Sequence, residues 1–506
     1  MTVGVLVALL VALPVIVTVV QALHGGLSTA VNALTDSSPR ALLVNSLLVT
    51  AVSAPVCCVL GVGTAWLVER TTLPGRRIWT LLLVAPLTMP LFVTSYAWAT
   101  LGGALQGFLG AAGIIAFSYY PVVFLLVIVA LRGMDPALEE SARSLGLSAR
   151  RTFWRVVLPQ LRPAILGGAL LVVLDTLVEF DAFVALKFQT FTIHIYAQYQ
   201  LSFSSSGAAA LSMISLVLCV ILLLGELRLR GGANYTRVAH GARRMQTRYR
   251  LGRTTPLALA AVSLVVAVGL GIPVGVLIYW FTQSSHLGFV YATDNLRYLW
   301  PATVTSVGLA AASAILALAF AVPIAVLAVR RTGPIATAIE RVSYLSFALP
   351  DLVAAIALAY AASHYVRFLY SSVTLLVFAD AILFVPFAVV AMRATIGQLE
   401  PALEDVARSL GAGGLRTLVR VVFPLARPGL AAAGMLVFAF VLGDLSTTQI
   451  LLPPNLYTLG TAFAANASTV AFAAAAPFAG VLTLLSMACA YVLMSRFGKV
   501  RGLAAN

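Results

Sequence analysis

Lysine is nearly missing from this chain: Lys187 and Lys499 are the only two in 506 residues. A phosphate-binding loop needs a Gly-Lys-Ser/Thr core, with the lysine on the β- and γ-phosphates. Lys187 follows Leu186, and Lys499 follows Gly498 but precedes Val500, so neither fits. The chain therefore has no ATP site of that kind, and no bound cofactor is expected on it. Cysteine is scarce as well. Cys57, Cys58, Cys219 and Cys489 all fall in apolar runs and form no C-x-x-C pair, which argues against a disulfide framework or a zinc ribbon. They read as small packing residues. The five histidines show no short ligand spacing, so no metal centre is expected. Charged residues make up only 10%, against about 25% in soluble domains.

What is abundant is apolar sequence. Hydrophobic residues reach 61% and the mean hydropathy is +1.01. About 20 apolar residues cross a bilayer as a helix, which satisfies its own backbone groups there. Twelve runs qualify: 3–23, 41–68, 78–101, 117–132, 164–185, 207–229, 257–281, 301–329, 341–363, 371–393, 429–451 and 471–496. The expected fold is an all-α polytopic membrane protein. The first run has no charged n-region and no clear cleavage site, so it is expected to stay as a span rather than act as a signal peptide.

Charge sets the orientation. With a cytoplasmic N-terminus, the inner loops and termini hold 28 of the 32 Lys and Arg, and the outer loops hold only Arg40, Lys187, Arg297 and Arg367. Cytoplasmic excess of Lys and Arg is the rule for membrane proteins, so both termini are expected inside. The net charge of +15 then reflects topology. Nucleic-acid binding is not expected, because the basic residues are scattered and lack an aromatic-interleaved patch.

The polar part of the chain occurs twice. Pro136-Ala-Leu-Glu-Glu-Ser-Ala-Arg-Ser-Leu-Gly146 returns as Pro401-Ala-Leu-Glu-Asp-Val-Ala-Arg-Ser-Leu-Gly411, and 17 of 28 positions from 136 to 163 are identical at an offset of 265. Six spans per half return the second copy in the same orientation, giving two parallel six-helix repeats. Residues 1–230 and 256–506 are read as two membrane domains, and 231–255 as a basic cytoplasmic linker. Its arginine-rich stretch also suits contact with anionic lipid headgroups.

Each repeated loop predicts a short helical finger. Asp135 suits an N-cap and Pro136 the first helical position. Glu139 and Glu140 favour the positive end of the helix dipole. Gly146 tolerates the positive φ of a helix C-terminus. A second helix is expected over about 149–158, ending before Pro159, with Pro163 opening the next span. Glu400, Pro401, Glu404, Asp405, Gly411, Pro424 and Pro428 repeat the plan. Leu138, Ala142 and Leu145 form an apolar face that must bury against its own domain or another protein.

These residues resemble the signature of permease subunits of bacterial ABC importers: Glu-Ala-Ala, three residues, Gly, nine residues, Ile-x-Leu-Pro. Here stand Glu140-Ser-Ala142, Gly146, Val156 and Leu158-Pro159, then Asp405-Val-Ala407, Gly411, Val421 and Phe423-Pro424. The resemblance implies a type I importer-like fold and coupling helices that dock on a partner ATPase. Two loops imply two ATPase copies carrying ATP and Mg, and an extracytoplasmic substrate-binding protein as a further partner in the bacterial plasma (inner) membrane. Two fused domains resemble the ferric iron, thiamine and 2-aminoethylphosphonate permeases. Gln189-Thr-Phe-Thr-Ile-His-Ile-Tyr196 and Leu451-Leu-Pro-Pro-Asn-Leu-Tyr-Thr-Leu459 resemble segments of the ferric iron type. Glu179-Phe-Asp181 departs from its usual Asp-Phe-Gly.

Carboxylates inside spans are costly and usually face a cavity, a partner or a pathway. Asp175, Glu179, Asp181, Asp351, Asp380 and Asp444 are candidates for a pathway that favours a cation such as ferric iron, thiamine or a polyamine. Asp175 and Glu179 are one helical turn apart. The plainer alternative is that Glu179, Asp181 and Asp444 cap helices at the interface. A proton-coupled secondary transporter would share the six-plus-six layout. Its Gly/Arg-rich loop is only superficially matched by Glu69–Arg77, and the duplicated finger has no role in it. A membrane enzyme would need a His/Asp cluster or nucleophile constellation that the sequence lacks.

Overall fold

A computed structural model describes residues 2–24, 31–32, 35–134, 136–201, 205–230, 248–284, 289–331, 333–345, 349–397, 399 and 401–492. Asp135, Glu400, His286 and most of the linker lie outside them. The described residues are helical throughout, apart from turns and one isolated β-bridge between Thr71 and Tyr249. Among the described residues, eight helices are long and apolar enough to cross a membrane, and up to ten if each bent pair is one span. Ser206–Leu222 is a shorter apolar helix.

Prolines account for much of the departure from straight spans. The run expected over 78–101 bends by 88° between Arg76–Thr88 and Leu91–Ala99. Pro90 caps the second piece with an extended ψ of 133°, as expected where a ring removes the N–H and disfavours a continuing helix. Pro350 does the same ahead of Asp351–Tyr365, with ψ 135°. The fourth span starts earlier than the apolar run suggests, at Phe108 rather than 117. The fifth stops at Val178, and a separate short helix covers Asp181–Ala185. The eleventh likewise stops at Gly443, followed by Ser446–Leu451.

The chain divides into two units, each packed mainly on itself. One holds Met1–Asp36, His194–Leu216 and Leu277–Asn506, and the other Ser37–Ile193 and Val217–Val276. In the second of these, Ser37–Arg70, Phe108–Gly133 and Leu158–Val178 pack on one another. Small residues let them close: a Cβ on Gly61 would stand 2.7 Å from Val123 Cβ, and one on Gly168 would stand 3.0 Å from Val123 Cα. Close backbone approach of this kind is how helices associate in lipid, where apolar burial gives no drive.

In the other unit Phe289–Arg330, Val373–Ile396 and Phe423–Gly443 form the same trio. The first span belongs here. Thr2–Val11 lies on Phe289–Arg330, Pro334–Leu345 and Val373–Ile396, and Leu13–His24 lies on Asp351–Tyr365. Reciprocally, Thr255–Val266, the lead-in of the seventh span, packs on Ser37–Arg70 and Arg76–Val84. Each repeat therefore lends its first span to the unit built by the other.

Candidate functional site

The repeated loops form the two short helices Pro136–Ser144 and Pro401–Ser409. Both end in the same backbone device. Gly146 has φ 84° and Gly411 has φ 83°. Gly146 N donates to Arg143 O at 2.9 Å and Leu147 N to Ala142 O at 3.2 Å; Gly411 N donates to Arg408 O and Ala412 N to Ala407 O, both at 3.0 Å. This paired closure with glycine in the left-handed region satisfies the last carbonyls and turns the chain sharply.

After the turn, the structure differs from the expected second helix ending at Pro159. Helix runs from Ala149 through a π-turn at Phe153–Val157 into Leu158–Val178, so neither Pro159 nor Pro163 interrupts it. Leu158 N–H reaches back to Phe153 O. The second copy has its π-turn at Leu418–Val422, with Phe423 N–H on Leu418 O, just before Pro424. A third π-turn, Ala267–Gly271, precedes Pro273 by two residues. A proline cannot donate to the ladder and crowds the carbonyl four residues back. The wider i→i+5 turn opens room for the ring and keeps the helix continuous.

The acid that anchors each finger is the first of its pair. Glu139 is 6% exposed and Glu404 8%, whereas Glu140 and Asp405 face outward. Glu139 Oε1 pairs with Arg70 Nη2 at 3.0 Å, and Glu404 Oε1 with Arg330 Nε at 2.8 Å. Arg70 Nη2 also donates to Leu131 O, and Arg330 Nη2 to Leu399 O. The two arginines end the helices Ser37–Arg70 and Phe289–Arg330, so each pair ties a finger to the end of a membrane helix. Removing one partner of a buried pair leaves an uncompensated charge, at about 3–5 kcal/mol. The sequence reading missed both arginines. They repeat at an offset of 260 rather than 265, the signal that would have found them.

The apolar face of the finger is divided. Ala142 is buried, while Leu138 and Leu145 stay exposed, Leu145 at 84%. On the other copy Ala407 is half-buried, and Leu403, Val406 and Leu410 are exposed, Leu410 at 82%. Each finger thus seats its small residue inward and presents large apolar side chains away from its own unit.

The interior acids fall into two groups. In the unit containing Phe108–Gly133, Asp175 is hydrogen-bonded to Tyr119. Glu179 leaves the helix with ψ 136°, so it does not share a helical face with Asp175 as the spacing predicted. Its Oε1 accepts from Ala182 N at 2.9 Å, ahead of the short helix in which Asp181 occupies the first turn. In the other unit Asp444 Oδ1 accepts from Thr447 N at 3.2 Å. Glu179 and Asp444 therefore both cap a short helix at a break. Asp380, 1% exposed in Val373–Ile396, accepts from Ser313 Oγ at 3.3 Å and lies within electrostatic range of Asp444 and Asp351. Asp380 Oδ1 and Asp444 Oδ2 are buried without a hydrogen-bond partner.

Comparison with known proteins agrees with this duplication. The model of the binding-protein-dependent transport system inner membrane component matches residues 58–226 and again 321–500. The chain is 33% identical over 95% of its length, and 95% of the relative's, to the Fe(3+)-transport system permease protein FbpB 2 of Haemophilus influenzae. It is 32% identical to the molybdenum transport system permease protein ModB of Escherichia coli over 38% of this chain and 93% of that one. A sulfate transport system permease protein, CysW of Synechocystis, matches at 27% over 43% of this chain and 87% of its own. Most of each of these two relatives thus fits within less than half of this chain, whereas the iron relative matches over 95% of both chains. With two tethered fingers in two copies of one helical trio, the chain belongs to the family of binding-protein-dependent transport system inner membrane components.

Proposed function

We propose that the chain is the complete membrane pathway of an ATP-driven importer of ferric iron. The observation that carries the substrate is the 33% identity to an Fe(3+) permease across 95% of both chains. The interior acids agree with a cationic cargo, because a low-dielectric passage amplifies any charge that lines it. Asp380 and Asp444, with buried oxygens lacking a hydrogen-bond partner, are the best-placed pathway candidates. Asp351 and Asp175 follow, while Glu179 and Asp181 serve chiefly at the helix break.

Residues 1–230 and 256–506 act as the two permease domains, with 231–255 as their linker. Glu139, Ala142, Gly146 and Pro159, and Glu404, Ala407, Gly411 and Pro424, build the two fingers. Glu140 and Asp405 lie on their outward faces. The fingers and both termini face the cytoplasm. Two copies of an ABC ATPase dock there and supply ATP and Mg, and a binding protein delivers substrate on the opposite side.

The test is reconstitution in liposomes with the ATPase and binding protein. Uptake of ferric iron that depends on ATP, with two ATPases per chain by mass, is the expected result. A binding protein that takes thiamine, 2-aminoethylphosphonate, a polyamine or an oxyanion and ignores ferric iron would overturn the iron assignment. One ATPase per chain would overturn the stoichiometry.

A further inference from the structure

The two fingers are anchored alike by arginine, yet their second contacts differ. On Pro401–Ser409, Arg408 closes on the anchor: its Nη2 is 3.1 Å from Glu404 Oε2, and its Nη1 is 2.8 Å from Asp405 Oδ1. Arg143 occupies the matching position on Pro136–Ser144. Its guanidinium instead lies over the ring of Tyr249, 5.5 Å from the centroid, within the range of a cation–π contact. The Tyr249 hydroxyl takes the place of that arginine and donates to Glu139 Oε2 at 3.3 Å.

Tyr249 comes from the segment that leads into the second half, and its backbone is fixed. Tyr249 N donates to Arg70 O at 2.8 Å, and Thr72 N donates to Tyr249 O at 3.0 Å. Leu251 N donates to Thr72 Oγ1 at 3.3 Å. The ring rests on Trp66 at 5.5 Å, and Trp66 meets Phe153 of the helix after the finger at 4.7 Å. Tyr249 therefore touches the anchor arginine's backbone, the anchor acid, the last-turn arginine of the finger and, through Trp66, the helix that follows. Burial and the facing Glu139 carboxylate hold its phenol above the ordinary value, so it remains a donor.

We propose that Tyr249 is a positioning residue for transport: the lead-in to the second half sets the angle at which the first finger meets its ATPase, while the second finger relies on Arg408. The inference rests on reading the fingers as ATPase-docking elements. A tyrosine clamp on one finger and an arginine clamp on the other give the two docking events unequal stiffness.

The experiment uses the full chain assembled with ATPase and binding protein in liposomes and reads ferric iron taken up per ATP hydrolysed. Tyr249→Ala should lower that ratio about fivefold, and Tyr249→Phe, which keeps the ring over Trp66 and under Arg143, about twofold. In a Glu139→Gln background Tyr249→Phe should have a smaller further effect, because the hydroxyl acts through that carboxylate. An unchanged ratio in both tyrosine variants overturns the proposal. So does a fall in uptake that tracks loss of assembled complex in Tyr249→Phe as well as Tyr249→Ala, which marks a structural role only. Leu145→Asp serves as the companion variant. If it lowers the ratio while the tyrosine variants do not, only this inference fails; if it too has no effect, the docking reading fails with it.

Discussion

The two copies agree most closely at their fingers and least in the membrane interior. Arg70–Glu139 and Arg330–Glu404, and Gly146 and Gly411, are near superimposable in chemistry. By contrast Asp380 stands where an offset of 265 places Ile115, and among the described residues the interior carboxylate oxygens buried without a hydrogen-bond partner belong to Asp380 and Asp444. The difference follows from what each region meets. On the proposed reading each finger docks on one of two like partners, so its geometry is held twice. A substrate crosses once, and nothing requires both halves to offer it the same groups.

The largest expected effect probes the agreement. Glu139→Ala and Glu404→Ala should each destabilise the protein by up to about 3–5 kcal/mol, because the first strands the buried guanidinium of Arg70 and the second the partly exposed one of Arg330. Equal losses in denaturation of the two variants would uphold the equivalence of the anchors, and a difference above about 2 kcal/mol would break it. Next, Gly146→Val and Gly411→Val place a β-branched residue at positive φ, at about 1–3 kcal/mol each. Iron uptake in the double variant should fall at least about tenfold, in line with that strain. Near-normal uptake would deny the turn any role in aiming the finger.

The interior is tested by neutralisation. Asp380→Asn nearly keeps shape and removes a charge, and uptake should fall about fivefold with little change in assembly. Asp175→Asn, already held by Tyr119, should have the smaller effect. The reverse order would erase the contrast between the halves.

The smallest effect is a pH dependence confined to the first finger. A tyrosine whose folded value is raised contributes stability that is present below its ordinary value near pH 10 and is lost as pH rises through the folded one. Tyr249→Phe should therefore flatten the alkaline fall in melting temperature above about pH 10. An identical fall in the variant would contradict the raised value.

The fingers were legible because they are polar, local and repeated. Proline and glycine at fixed spacing state where each short helix starts and turns, and no distant residue is needed to see it. Their anchors were not, because Arg70 and Glu139 lie far apart in sequence and the ion pair is a property of packing. Spans were legible as apolar runs, yet hydropathy is blind to backbone breaks. Pro90 and Pro350 cap the helices that follow them, whereas Pro159 stands inside a continuous one, because the π-turn at Phe153–Val157 absorbs its ring. Glu179 fits an apolar run to 185 and still leaves the helix, since its carboxylate caps the next one. Exchange of the first spans has no local signature, because a helix that is apolar all round does not specify its neighbour.

The π-turns have a mechanical consequence. Because the ring of Pro159 is absorbed rather than allowed to kink the chain, Ala149 to Val178 is one rod of thirty residues, about 45 Å at 1.5 Å per residue. Gly414 to Gly443 is a second rod of the same length. Each begins just beyond a finger's glycine turn and ends at a capped break, Glu179 or Asp444. Each rod is helical without a break along that length. On the proposed docking of an ATPase at the fingers, a tilt given to the near end would arrive at the far end as a sideways sweep beside the interior acids, and each finger would work as the handle of a lever.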